Sequence, residues 1–396
     1  MPDRTTRTVT SLASVDPASW DALAHEGCPF LRHGFLRALE LSGSIGDEPG
    51  WRPVYILVEE SAESAGSKAR LVGAVPAYIK RHSYGEFIFD WAWARAAVQS
   101  GLRYYPKLVV AAPMTPATGP RLLVHPGVPR DEVVRRLVAG VRDVADAEGC
   151  WSIHWLFTTA REHQELAEHG FLPRASYQYH WHNRGYADFE AFLASMTSRR
   201  RKQLRKERAR ARAGFDTLEW VPGPELGPDD LAAVDRYYRA TVRAYGGIDY
   251  LRPGFFEHVQ KLMPETMLWA RIRRGGRTIA GTLYFETPSA LYGRYWGADE
   301  AVPFLHFEAA YYAPIERCIA RGTPRFEAGA QGEHKLLRGF SPSRTYSSHW
   351  FRHPALASAV GRFLAHEAIV AEEQMRELED YLPYRVGEPE DEPADA

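Results

Sequence analysis

The residues best suited to chemistry sit in one short stretch of the 396-residue chain, Phe326-Glu-Ala-Gly-Ala-Gln-Gly-Glu-His-Lys335. A small-residue turn that contains Gln331 separates a β-rich segment from Glu333, His334 and Lys335, and Arg338 follows. Small residues let a backbone approach a ligand closely and present N–H groups to it. Lys335 offers a compact positive charge for a developing oxyanion or a phosphate. Glu327 alternates with Phe326, so one faces a cleft and the other a core. A carboxylate there could take the proton of an attacking amine, with Glu333 and His334 as rival bases. The bland alternatives are a glycine turn with solvated charges and, for Glu327, an ion pair with Arg325 or Arg294. The chain has neither a GxSxG elbow nor an evident Cys/His pair, which fits direct attack without a covalent enzyme intermediate. The stretch is not a P-loop, because GxxxxGK[ST] fails on spacing and on the final hydroxyl.

Further candidates surround it. Tyr292, Arg294 and Trp296 share a strand face by period two, which suits a ligand channel or a packed face with one snorkelling Arg. His306 and Glu308 open a helix, whose N-terminus favours an anion. Tyr105, Lys107, Thr118 and Arg121, with Tyr104 and Thr115, cluster around a Pro-rich loop and read as the acceptor side of a cleft. Arg199, Arg200, Arg201, Lys202 and Arg205 begin a helix in which Glu207 is the sole acid. Like charge at that density costs energy unless it meets a polyanion or acids elsewhere in the fold. His180 and His182 lie at i, i+2, but no third ligand is evident and no metal is expected.

The elements that must position these residues follow one plan twice. Two short helices over 15–41 precede a hairpin, Val54–Val58 and Leu71–Ile79. Strands are expected at Glu86–Trp91, Tyr104–Ala111 and Arg121–Val124, and an amphipathic helix over Val128–Glu148. A strand at Trp151–Phe157, a helix at Ala160–His169 and a strand at Ser176–His182 close the first half. The second half has a helix over Phe189–Arg212, a strand at Phe215–Trp220 and helices over Pro228–Tyr245 and Pro253–Met263. A hairpin turns at Gly275-Gly276. Strands at Ala290–Trp296, Arg325–Ala328 and Tyr346–Phe351 and helices at Phe304–Arg321 and Leu356–Leu382 complete it. The hairpin returns match, Leu71–Tyr78 against Ile279–Phe285. The division is a first domain over 1–185, a second over 186–385 that carries most of the site, and an acidic tail at 386–396 that reads as disordered. Helices flanking such strands give an α/β (α+β) class with mixed strand direction.

Composition is ordinary for a globular protein, with 45% hydrophobic and 25% charged residues. A net charge of −1 argues against a globally basic nucleic-acid binder. Three distant cysteines fit a reducing cytosol, and the polar start has no signal-peptide core, so a cytoplasmic location is expected. No apolar run is long enough to span a bilayer.

The motifs together resemble the FemAB-like family of N-acyltransferases. The carrying residues are Tyr292-Gly-Arg-Tyr-Trp-Gly297, Leu305-His-Phe-Glu308, the 326–335 stretch, Arg338-Gly-Phe340 and Ser198-Arg-Arg-Arg-Lys202. In the first half they are Pro29-Phe30-Leu31, Lys80–Glu86, Tyr104–Lys107 and Thr118–Leu122. The resemblance implies tandem GNAT-like domains, each a mixed, mostly antiparallel sheet flanked by helices, and acyl transfer to an amine in a cleft between them. It implies a functional role for Lys335. The co-substrate is then aminoacyl-tRNA, as in peptidoglycan-building relatives, or acyl-CoA, as in ordinary GNAT enzymes, with no tightly bound cofactor. Expected partners are a small-molecule or peptide amine and, for the first donor, tRNA. A catalytically silent module that recognises a cell-wall precursor or RNA is the alternative.

Overall fold

A computed structural model describes residues 3–61, 69–330 and 332–385. Thirteen strands among the described residues form one sheet. They are β1 (Arg4–Val9), β2 (Arg52–Glu60), β3 (Arg70–Lys80), β4 (Lys107–Val110), β5 (Leu123–Val124), β6 (Ser152–Thr158), β7 (Leu172–His182), β8 (Thr217–Pro222), β9 (Met267–Arg274), β10 (Arg277–Glu286), β11 (Ala290–Ala298), β12 (Arg325–Glu327) and β13 (Ser341–Phe351). The order is β1-β2-β3-β4-β6-β13-β7-β12-β11-β10-β9-β8, with β5 off β3. Each half is a run of antiparallel strands ended by one parallel pair, β4 with β6 and β11 with β12.

The halves exchange strands at the centre. β13, last in the chain, pairs with β6 of the first half, while β7 pairs with β12 of the second. The sheet is therefore continuous across residue 185. A His154–His349 contact of 2.8 Å between buried rings fastens β13 to β6. One apolar core also runs through both halves on one sheet face. There Phe30 meets Phe285 edge-on at 5.1 Å, and helix His33–Leu41 crosses helix Phe255–Leu262 with Phe35 on Phe255 at 5.7 Å. On the other face the helix Arg130–Ala147 lays its valine stripe on β2 and β3, as its periodicity predicts. Gly73 permits that approach, because a Cβ there would lie 2.4 Å from Val133.

The structure corrects several elements. Glu86–Trp91 is not a strand. Glu86 and Asp90 turn inward onto buried Lys107, the chain bends through Gly85 and Phe87 at positive φ, and helix Trp91–Gln99 follows. Residues 189–212 form two helices, Phe189–Ala194 and Ser198–Arg212. The 304–321 helix contains a π segment, Glu308–Tyr312, just before Pro314, which has no N–H to continue an α ladder. β1 was unforeseen, because its threonines and arginines carry no apolar alternation. It is held through Arg4, buried between Glu60 at 2.9 Å and Glu132 at 2.6 Å. The expected tail at 386–396 lies outside the described residues.

Candidate active site at a fork between two parallel strands

β11 and β12 pair only from Ala290↔Arg325 to Tyr292↔Glu327. Beyond Glu327 strand β12 ends while β11 continues, so the sheet opens on that side. Glu327 is also level with His180 of β7. At the same level β11 bulges: Tyr284 pairs with Gly293 and Leu283 with Tyr295, leaving Arg294 as the extra residue. A bulge re-aims side chains. It undoes the period-two expectation, because Tyr292 packs in the core shared by both halves while Trp296 packs with Leu305 on the other face. Arg294 is swung onto the Tyr292 face, 4.6 Å over Phe30 and 5.3 Å over Tyr292. One of its Nη atoms donates to its neighbour Gly293 O at 3.0 Å, while Nε and Nη2 are buried without a hydrogen-bond partner among the described residues.

Glu327 and Lys335 both feel the charge of this guanidinium. Glu327 is buried, 3.2 Å from Arg325 Nε, and among the described residues neither carboxylate oxygen accepts a hydrogen bond. Burial pushes its carboxyl up, against the pull of Arg325, Arg294 and Arg121. Lys335 is 1% exposed, and Nζ donates to Gly329 O at 2.5 Å. Burial first, and Arg294 second, lower its ammonium to about 7. The backbone holds this geometry with positive φ at Gly329 and Gly332, then a 3₁₀ turn over Glu333–Arg338. Buried unpaired donors and shifted acid and base groups at a strand end are what a reaction involving charge and proton transfer needs.

The other expected residues divide. Glu333 and His334 are exposed, and His334 Nε2 is 2.9 Å from Tyr311 OH. Gln331 lies outside the described residues. His306 packs near Trp296 at 5.3 Å and is pushed down to about 4 by burial and the neighbouring His334. Thr118 lies in the loop beside the shared core, and its hydroxyl, like that of Thr115, is buried and unpartnered. That loop reaches the fork, since Gln178 of β7 donates to Pro116 O at 3.2 Å.

Five candidates have structural partners instead. Glu308 is not an anion cradle: fully buried, it accepts from Arg208 and Arg212, each at 3.0 Å. Arg338 lies 3.5 Å over Phe307 and pairs with Glu207 at 2.9 Å, which braces the Lys335 turn against the basic helix. Arg121 donates to the carbonyls of Leu156, Gly119 and Ala117, stapling the Pro-rich loop. Lys107 is fully buried on Ser83, Glu86 and Asp90. Tyr105 contacts Ser83 Oγ at 2.8 Å beside that knot. Apart from Arg338 Nε, which is buried without a partner among the described residues, these side chains are taken up within the fold, and sequence spacing does not reveal the partners that lie far along the chain.

The basic helix is accordingly of two kinds. Glu207 and Arg208 face inward, and Arg205 pairs with Glu190. Arg199 and Lys202 are exposed, Arg200 reaches the Gln203 amide at 3.0 Å, and Arg201 reaches Ala194 O at 3.5 Å. The expected ion pair of Glu327 with Arg325, its neighbour on β12, is present, whereas sequence reasoning missed Cys28, Phe30 as a platform for Arg294 and the placing of His180 beside Glu327, which the shared core and strand exchange bring about. Among the described residues no group of three His, Cys, Asp or Glu could hold a metal, and no helix is long and apolar enough to cross a membrane.

Solved structures share this architecture at low identity. FemX superposes with a TM-score of 0.50 at 11% identity, over 90% of this chain and 100% of that one. L-PGS from Bacillus licheniformis gives 0.48 at 12%, over 83% and 95%. A tandem GNAT protein from the clavulanic acid biosynthesis pathway gives 0.44 at 14%, over 89% and 99%. The fold is thus the one that FemX has. No curated protein matches the sequence. The FemAB-like family model, described as peptidoglycan biosynthesis and recognition, matches residues 11–386, nearly the whole chain, and the protein belongs to that family.

Proposed function

We propose that the protein is an N-acyltransferase that moves an aminoacyl group from tRNA to an amine at the β11–β12 fork. The observation that carries this is the half-buried Arg294, with two buried nitrogens unpartnered among the described residues, together with buried Glu327 and buried Lys335 where the two strands part. The amine nitrogen attacks the ester carbonyl, and a C–N bond forms as the amine proton passes to Glu327. The unpartnered Arg294 N–H groups stabilise the oxyanion. The C–O bond to the ribose then breaks, and the departing oxygen takes a proton from the Lys335 ammonium. Glu327 fits the base role because burial raises its proton affinity.

The choice of donor rests on charge. A CoA pyrophosphate would need the start of the helix after β11, where Glu308 already occupies Arg208 and Arg212. The outer face of Ser198–Arg212 still offers Arg199, Arg200, Arg201 and Lys202 to a polyanion. A tRNA donor places the reaction in the cytoplasm, and the family description favours a cell-wall precursor or peptide amine as acceptor.

Titration at low salt with bulk aminoacyl-tRNA, acetyl-CoA and a long-chain acyl-CoA tests this reading. Binding to tRNA alone is expected, and binding to acyl-CoA alone would overturn the donor. A wild-type protein that binds its ligand but transfers nothing would be a recognition module. Replacing Arg199, Arg200, Arg201 and Lys202 by Gln is expected to weaken tRNA binding. The slope of log affinity against log salt should become shallower by about 0.7–0.9 for each phosphate no longer neutralised. An unchanged slope would assign that helix elsewhere.

A further inference from the structure

The first half carries a second surface that the fork does not use. Between Arg81 and Arg103 the only acids, Glu86 and Asp90, are buried on Lys107, so the exposed charge of the stretch is Arg81, Arg95 and Arg103. The same stretch shows large apolar side chains to solvent: Phe89 is 58% exposed, Val98 69% and Tyr84 47%. The surface continues onto the last helix, Pro354–Glu379, where Phe363 is 45% exposed and its ring lies 6.4 Å from Trp93. Arg174 joins the two, donating to Phe89 O at 3.3 Å and to Glu367 at 2.7 Å, which neutralises the first acid of that helix. Contiguous exposed apolar groups at this density mark an interaction site.

We infer that this face, helix Trp91–Gln99 with its preceding aromatic loop and Phe363, docks on an anionic lipid bilayer. The occupant is chosen by charge and by side-chain type. Aromatic and aliphatic groups interleaved with arginines are what an interfacial helix presents to lipid head groups, the rings entering the acyl boundary and the cations meeting anionic lipid. A protein partner would need complementary acids, whereas a membrane supplies a continuous negative plane. The inference is independent of the donor proposed above, because none of these residues lies at the fork or on the basic helix.

The test is co-sedimentation of the full chain with phosphatidylcholine vesicles, with and without phosphatidylglycerol. Binding is expected only with phosphatidylglycerol, and it should fall as salt rises. Phe89→Ser with Val98→Ser, and separately Arg95→Glu with Arg103→Glu, should each lower it at least about tenfold. These side chains are exposed, so melting curves should match wild type. The Arg199→Gln/Lys202→Gln variant should sediment as wild type does. No binding to anionic vesicles, or binding abolished only in the basic-helix variant, overturns the inference. So does self-association through this face in the absence of lipid.

Discussion

Lys335→Ala is expected to lower transfer by about 10²–10³-fold while donor binding persists, because one preorganised donor or acid is worth that much in a water-poor site. The sharper expectation is in pH. The Lys335 ammonium is held at about 7 rather than 10.5. If it protonates the leaving oxygen, the rate should decline above about pH 7. In Lys335→Arg the rate should stay as low as in Lys335→Ala and the decline near pH 7 should vanish, because a guanidinium stays charged and gives up no proton. The same depression makes a stability prediction of opposite sense. Between pH 7 and 10.5 the unfolded chain binds the extra proton, so stability from this group rises with pH through that window. Below about 7 the full cost of a charged buried amine is present. Lys335→Met should therefore be inactive yet more stable than wild type at neutral pH and below, the gap closing toward pH 10.5. An inactive Lys335→Met that is also less stable at pH 7 would show a packing role instead. A decline that stays at pH 7 in Lys335→Arg would remove the acid role.

The part of this site that is local in sequence was legible in it. Glu327, the glycine turn and Lys335 lie within nine residues, and the strand alternation correctly separates Phe326 in the core from Glu327 among arginines. The apolar stripe of Arg130–Ala147 and the paired hairpins were equally legible, because each is a local period. What could not be read is non-local. No pattern signals that β13 inserts beside β6, or that β7 supplies His180 to a site in the other half. The bulge at Arg294 adds one residue to the period and reverses the face of Trp296. Charged residues misled for a related reason. Lys107, Arg121, Glu308 and Arg338 look like ligand-binding groups when a partner of each lies far off, 17, 35, 100 and 131 residues away in turn. Glu86–Trp91 has strand composition, yet its two carboxylates favour a buried lysine over a ladder.

That lysine carries the other large effect. Lys107 Nζ donates to Asp90 at 2.5 Å and to Glu86 and Ser83 at 2.8 Å, all out of solvent. Lys107→Met keeps the volume and deletes the charge. It leaves Tyr104 OH on Asp90 at 2.6 Å and Lys80 at 3.7 Å from Glu86. Breaking a buried pair costs about 3–5 kcal/mol, because the surviving charge stays desolvated. The loss should depend on pH with a definite sign. Burial alone would raise the Asp90 carboxyl, but Lys107 and His154 outweigh it and hold it at about 2, below its ordinary 3.8. In wild type that contribution is present above 3.8 and lost as pH falls through 2. In the variant the Asp90 carboxyl rises above 3.8, so the variant loses stability as pH climbs from 3.8 toward neutrality. His154, pushed down to about 3 by burial and by Lys107, shifts the difference the same way, because it protonates more readily once the ammonium is gone. Urea unfolding of both proteins from acid to neutral pH should show the deficit small near pH 4 and full at 7. Adding Asp90→Asn should recover much of it at neutral pH. A deficit that does not shrink in acid would mean that lost packing, not the stranded carboxylates, is what Lys107→Met costs.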